Sequence, residues 1–103
     1  MSAHYTFILV SKRCGALYVG TTDDLLDCVL DHKCSMIDCI TRHYAINRLV
    51  FFEAHNGFDA ASKRELQIRE MHRVEKYALI EHRNPDWRDL YEELIESEHS
   101  RIA

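Results

Sequence analysis

The sequence is poor in the residues that interrupt structure. Three glycines and one proline are spread over 103 residues, so no stretch reads as a linker or low-complexity tract and order is expected nearly throughout. Long apolar runs are missing as well. A run such as Phe7-Ile8-Leu9-Val10, which none exceeds in length, is far short of the roughly 20 residues that a membrane-spanning helix needs. No basic region followed by an apolar stretch and a cleavage site stands at the N-terminus, so a soluble, cytoplasmic, unsecreted protein is expected, with no membrane partner. Positive charge is not in excess. A net charge of −4 argues against a protein that coats nucleic acid through bulk electrostatics, which draws on clustered Lys and Arg. The four cysteines, Cys14, Cys28, Cys34 and Cys39, are expected as free thiols in a reducing compartment rather than as disulfides.

What is present fits one compact domain. The chain divides into a domain over residues 1–91 and an acidic helix end and tail over 92–103. The charge is uneven, at −2 over residues 1–41, +2 over 42–76 and −4 over 77–103. A phosphate-facing surface would draw on the middle segment, where Arg42, Arg48, Lys63 and Arg69 are the leading candidates; solvated helix faces are the commoner use of such scattered charges.

Two β-rich runs, residues 5–10 and 17–21, flank a polar connection with Gly15 available for positive φ, and predict a β-hairpin. Thr22 before Asp23 and Asp24 reads as the N-cap of a helix over about 23–33. Leu25, Leu26, Val29 and Leu30 form its apolar stripe, with Asp24, Asp27 and Asp31 opposite and Cys28 beside His32 at i+4. Residues 34–44 suggest a loop with a short helix. The apolar run within residues 48–54 predicts a strand buried on both faces. Asn56-Gly57 is a turn signal before a helix over about 58–72, with Ala61, Ile68 and Met71 inward and Glu65 on the shoulder. A helix over 74–82 follows. Asn84-Pro85 reads as the N-cap and first residue of a last helix ending near Glu98, docked by Trp87 and Tyr91. The fold class is α+β, a small three-stranded, mainly antiparallel β-sheet flanked by helices.

Thr6-Phe7-Ile8-Leu9, Leu17-Tyr18-Val19-Gly20, Thr22-Asp23-Asp24-Leu25 and His32 together resemble the signature of the GIY-YIG endonuclease superfamily. The likeness continues through Asn47 to Glu53, through Lys63-Arg64-Glu65-Leu66-Gln67 and through Asn84-Pro85-Asp86-Trp87-Arg88-Asp89-Leu90. These later anchors resemble the small stand-alone bacterial-type members. The resemblance implies metal-assisted phosphodiester hydrolysis. Two tyrosines help activate or position water, an Arg on the first helix stabilises charge on phosphate, a His follows one turn later and a Glu on a later helix holds a divalent cation. Carried across, it implies Tyr18 and His32 as catalytic residues, Glu65 as the ligand of Mg2+ or Mn2+, and nucleic acid as partner, DNA ahead of RNA. It also places Phe7 where the family has its first Tyr and Cys28 where it has Arg, so two roles lack their usual side chain.

Each residue has a plainer reading. Tyr18 is equally a half-buried strand aromatic, His32 a partner for a helix C-terminus, and Glu65 half of an i,i+4 pair with Arg69. Cys28, His32, Cys34 and Cys39 spell C-x3-H-x-C-x4-C, four soft ligands whose spacing matches no common zinc module, so reduced thiols come before zinc. A nuclease-like domain that acts on or binds nucleic acid, with cleavage weak or lost, is therefore the leading expectation. An active divalent-metal endonuclease using Tyr18, His32 and Glu65 comes next, and a protein-binding, zinc or thiol module last.

Overall fold

The computed structural model describes residues 3–33 and 46–102, with side chains described through residue 96. The expected short helix near residues 34–44 lies outside the described residues, as do Cys34, Cys39 and Arg42. The hairpin forms as expected, with β1 (His4–Val10) antiparallel to β2 (Leu17–Thr22). Its tip departs from expectation, because the positive φ falls on Cys14 (58°) and not on Gly15. Gly15 serves close approach instead: a Cβ there would lie 2.4 Å from Ser11 Oγ.

Helix α1 (Leu25–Lys33) follows. Thr22 is not its cap. Asp24 is, its carboxylate accepting the Asp27 backbone N–H at 3.1 Å, while the Thr22 hydroxyl accepts the Asp24 N–H at 3.1 Å and steadies the turn before it. The buried stripe is also rotated from the expected one: Leu25, Val29 and His32 are buried, and Leu30 is 43% exposed. The i, i+4, i+7 row thus ends on a histidine, not on a second leucine.

Strand β3 (Arg48–His55) pairs antiparallel with β1, giving the order β2-β1-β3. The register slips between Ile8, opposite Phe51, and Leu9, opposite Leu49. Val50 is the extra residue of a bulge, which puts Val50 and Phe51 on the same side of the sheet. This explains the unbroken apolar run. Leu49 and Phe52 serve one face, Val50 and Phe51 the other.

Two apolar layers result. Helices α2 (Phe58–Glu70) and α3 (Arg73–Arg83) cover the face carrying Ile8, Val10, Val19, Val50 and Phe51, through Ile68, Tyr77 and Ile80, with Met71 between the two helices packed there as well. Helix α1 and helix α4 (Tyr91–Ile102) cover the face carrying Phe7, Leu9 and Leu49, through Leu25, Val29, Tyr91 and Leu94. Central β1 is therefore buried on both sides.

The last helix begins at Tyr91, six residues later than the Pro85 that Asn84-Pro85 suggests. Asn84 is the C-cap residue of α3, its N–H bonded to Ile80 O, and it is buried. Its side-chain amide donates to Val50 O (3.2 Å) and Arg88 O (2.9 Å) while its side-chain oxygen accepts the Arg88 N–H (3.0 Å). Those bonds hold a loop in which Trp87, at φ 55°, is driven fully into the α2–α3 layer. Trp87 thus packs in the layer opposite the one that Tyr91 joins. Both outer strand edges are closed by side chains. On β3, Asn84 takes Val50 O and Arg83 takes Phe52 O at 3.0 Å; on β2, Arg69 takes Val19 O at 2.9 Å.

Removing Asn84 orphans two carbonyls and an N–H in or near the interior, at about 1–3 kcal/mol for each group left unsatisfied. Asn84→Ala should lower unfolding free energy by at least about 2 kcal/mol in urea. Arg88→Ala, which loses an exposed pair to Glu93, should cost under about 1 kcal/mol. Equal costs would show that the Asn84 bonds are not what hold this loop.

Candidate functional site

The hairpin and α1 bring three rings together. Tyr18 stands on β2 opposite Leu9, Phe7 stands on β1 opposite Gly20, and His32 closes the buried row of α1. Ring centroids are 5.1 Å apart for Tyr18 and His32, 6.2 Å for Phe7 and Tyr18, and 6.3 Å for Phe7 and His32. Two of the expected site residues, Tyr18 and His32, therefore meet, with Phe7 as the third corner. Gly20 makes the cluster possible. A Cβ there would lie 2.7 Å from Phe7 Cζ and 3.0 Å from Tyr18 Cε1, so both rings lie over a bare backbone. Tyr5 shares this face two residues before Phe7, half-buried opposite Thr22.

Cys28 borders the same cluster from α1. Burial pushes its thiol pKa up, the Thr22 side chain opposes this by hydrogen bonding, and the charges of Asp31, Asp24 and Asp27 push it further up. The position therefore carries a neutral thiol at pH 7, amid carboxylates that also repel anions. The sign of the linkage follows from the raised value. Whatever stability this shift confers is fully present below the unfolded thiol's pKa of about 8.5 and is lost as pH rises through the higher folded value.

Glu65 belongs to the opposite layer. It lies on α2, and its carboxylate reaches the edge of β2, where Oε1 accepts the Thr21 hydroxyl at 2.6 Å and Oε2 meets Arg69 Nε at 2.8 Å. Thr21 and Tyr18 are three apart on a strand and so point to opposite faces. Thr21 was not among the residues the sequence singled out; strand alternation, which sends it toward α2 with Val19, was the available signal. The family's implied metal can be tested on these donors. Both Glu65 oxygens are engaged, a guanidinium already neutralises the carboxylate, and among the described residues no three His, Cys, Asp or Glu side chains are grouped to hold an ion. As arranged, the donors do not fit a divalent cation.

The basic candidates do not converge. Arg48 sits at the β3 side and donates to Trp87 O at 3.3 Å, Arg69 closes the β2 edge, and Lys63 is exposed on α2. A cavity of about 680 Å³ lies away from the aromatic cluster, lined among others by Arg48, Arg88, Asp89, Glu92, Glu93 and Glu96. Its carboxylates outnumber its cations, which suits phosphate poorly.

Two measurements check this geometry. Gly20→Ala should cost about 1–3 kcal/mol through overpacking, and a double-mutant cycle with Phe7→Leu should recover part of it; strict additivity would show that Phe7 does not lie over Gly20. With iodoacetamide at pH 8, exposed Cys14 should be alkylated at least about tenfold faster than Cys28, whose thiolate is scarce. Equal rates would contradict the environment described for Cys28.

Among the described residues no helix is long and apolar enough to cross a membrane. No curated protein and no solved structure matches the chain. The family described as GIY-YIG catalytic domain matches residues 3–78, a span that contains the whole sheet, the rings of Phe7, Tyr18 and His32, and Glu65 with its partners. The three-stranded antiparallel sheet with flanking helices agrees with that match, and the chain belongs to the GIY-YIG family, whose domains act as nucleases on nucleic acid.

Proposed function

We propose that this chain is a GIY-YIG domain that binds nucleic acid, DNA ahead of RNA, and whose phosphodiester cleavage is weak or lost. The observation that carries the reading is the state of Cys28. A phosphodiester transition state gathers negative charge, and a guanidinium answers it with a planar fork that meets two oxygens. Cys28 offers a neutral thiol, and Asp24, Asp27 and Asp31 surround it with charge of the wrong sign.

Phe7 adds a second loss. Its ring is 1% exposed and packed over Gly20, with no hydroxyl to position water. Tyr18 and His32 keep groups able to orient a ligand or hold a proton, and their contact supports a binding site on this face. Affinity would rest on cations elsewhere, chiefly Lys63, exposed on α2; Arg69 is exposed there too, but its guanidinium is bonded to Glu65 and Val19 O. Arg48 is half-buried and committed to Trp87 O, so it contributes less.

The test compares the native chain with Phe7→Tyr/Cys28→Arg combined with Arg69→Gln on labelled single-stranded, duplex and branched DNA in Mg2+ or Mn2+. Since one donor to transition-state charge is worth on the order of 10²–10³ in rate and Glu65 is open to a metal only without Arg69, the double variant combined with Arg69→Gln should cleave at least about 100-fold faster than a native chain that cleaves barely or not at all. Native cleavage at a rate that Tyr18→Phe abolishes and the combined variant does not raise would contradict the reading and favour the active endonuclease.

A further inference from the structure

We infer that in this chain Arg69 stands on Glu65 in place of a metal ion, so that the carboxylate is a fixed structural tie at the β2 edge and not a cation ligand. The inference rests on the family assignment and is independent of whether the domain binds nucleic acid.

Three contacts make one unit. Thr21 Oγ1 donates to Glu65 Oε1 at 2.6 Å, Arg69 Nε donates to Glu65 Oε2 at 2.8 Å, and a terminal nitrogen of Arg69 donates to Val19 O at 2.9 Å. Each contact constrains the next. The carboxylate cannot turn toward an ion without releasing the Thr21 hydroxyl, and the guanidinium cannot leave without also orphaning a carbonyl on the open side of an edge strand. The Glu65 and Arg69 side chains are one turn apart on α2, so the pair forms within a single rigid element.

Charge points the same way. A divalent ion placed on Glu65 would sit beside the positive charge of the Arg69 guanidinium. The carboxylate it would meet is already neutralised. No other His, Cys, Asp or Glu among the described residues completes a group of three around it. The side chain of Glu65 is 23% exposed and that of Arg69 is 53% exposed, so the cation presented to solvent at this edge is the guanidinium.

Titration of the full chain with Mn2+ in the absence of nucleic acid, read by electron paramagnetic resonance of the free ion, tests this directly. The native chain and Glu65→Gln should bind Mn2+ identically, with any weak binding at exposed aspartates common to both. Arg69→Gln should bind at least about tenfold more tightly than the native chain, since removing a like charge at this distance is worth one or more orders of magnitude. The gain should vanish in Glu65→Gln/Arg69→Gln. Loss of native Mn2+ binding on Glu65→Gln would overturn the inference, as would a folded Arg69→Gln that gains nothing. If Arg69→Gln does not fold, the native and Glu65→Gln comparison decides by itself. Because no nucleic acid is present, a negative result here is separable from a failure of the binding reading.

Discussion

Burial of β1 on both faces organises the molecule. Thr6, Phe7, Ile8, Leu9 and Val10 are each 1% exposed or less, and every other layer is arranged by having to cover one of their two sides. Alternation sends Phe7 and Leu9 to α1 and α4, and Ile8 and Val10 to α2 and α3. Even the one polar side chain in this stretch is satisfied from outside the sheet, the Thr6 hydroxyl donating to Ala61 O at 2.7 Å. At about 1.5–3 kcal/mol for each large apolar side chain removed from water, this strand and its covers supply much of the driving force for folding.

The same constraint shapes the site. A residue at position 7 lies in the middle of the central strand, and its ring must pass over Gly20 to reach Tyr18 and His32. With phenylalanine there the ring is a filler between strand and helix, and the face becomes an aromatic cluster with no charge of its own. Helix α1 reinforces this, since its capping Asp24 and the outward Asp27 and Asp31 place negative charge around Cys28. Positive charge is displaced to the other layer. There Arg64 grips Glu53, and Arg69 grips Glu65 and the β2 edge.

Much of the architecture was legible in the sequence because it rests on local patterns. The hairpin, the strand at residues 48–55 and the helix from Phe58 follow from alternation, an apolar run and the Asn-Gly turn. What was not legible depends on tertiary partners. Asn84-Pro85 has the composition of a helix start, yet Asn84 finds Val50 O and Arg88 across 34 and 4 residues and ends α3 instead. The bulge at Val50 has no signature within an apolar run. Leu30 and His32 exchange expected roles because α1 turns its histidine toward Phe7 and Tyr18, a preference set by the rings it meets and not by hydropathy. In the site, Tyr18 and His32 come within ring contact because the hairpin and α1 face each other across Phe7. The pairing of Glu65 with Arg69 was visible as an i,i+4 spacing, but its anchoring through Thr21 and Val19 was not, since both contacts span more than 40 residues.

For a domain that keeps this fold while lacking a guanidinium at position 28 and a hydroxyl at position 7, the proposal is that it holds nucleic acid more than it cuts it, with side-chain cations in place of a bound ion. The most direct measurement is equilibrium binding of labelled branched and duplex DNA, in excess EDTA and in Mn2+, at matched ionic strength because such affinities are salt-dependent. Saturable binding is expected, with a dissociation constant that differs by less than about twofold between the two conditions, a margin well below the tenfold that 1.4 kcal/mol represents, and with the DNA recovered intact. Binding that appears only with Mn2+, or DNA that is recovered cut, would contradict it.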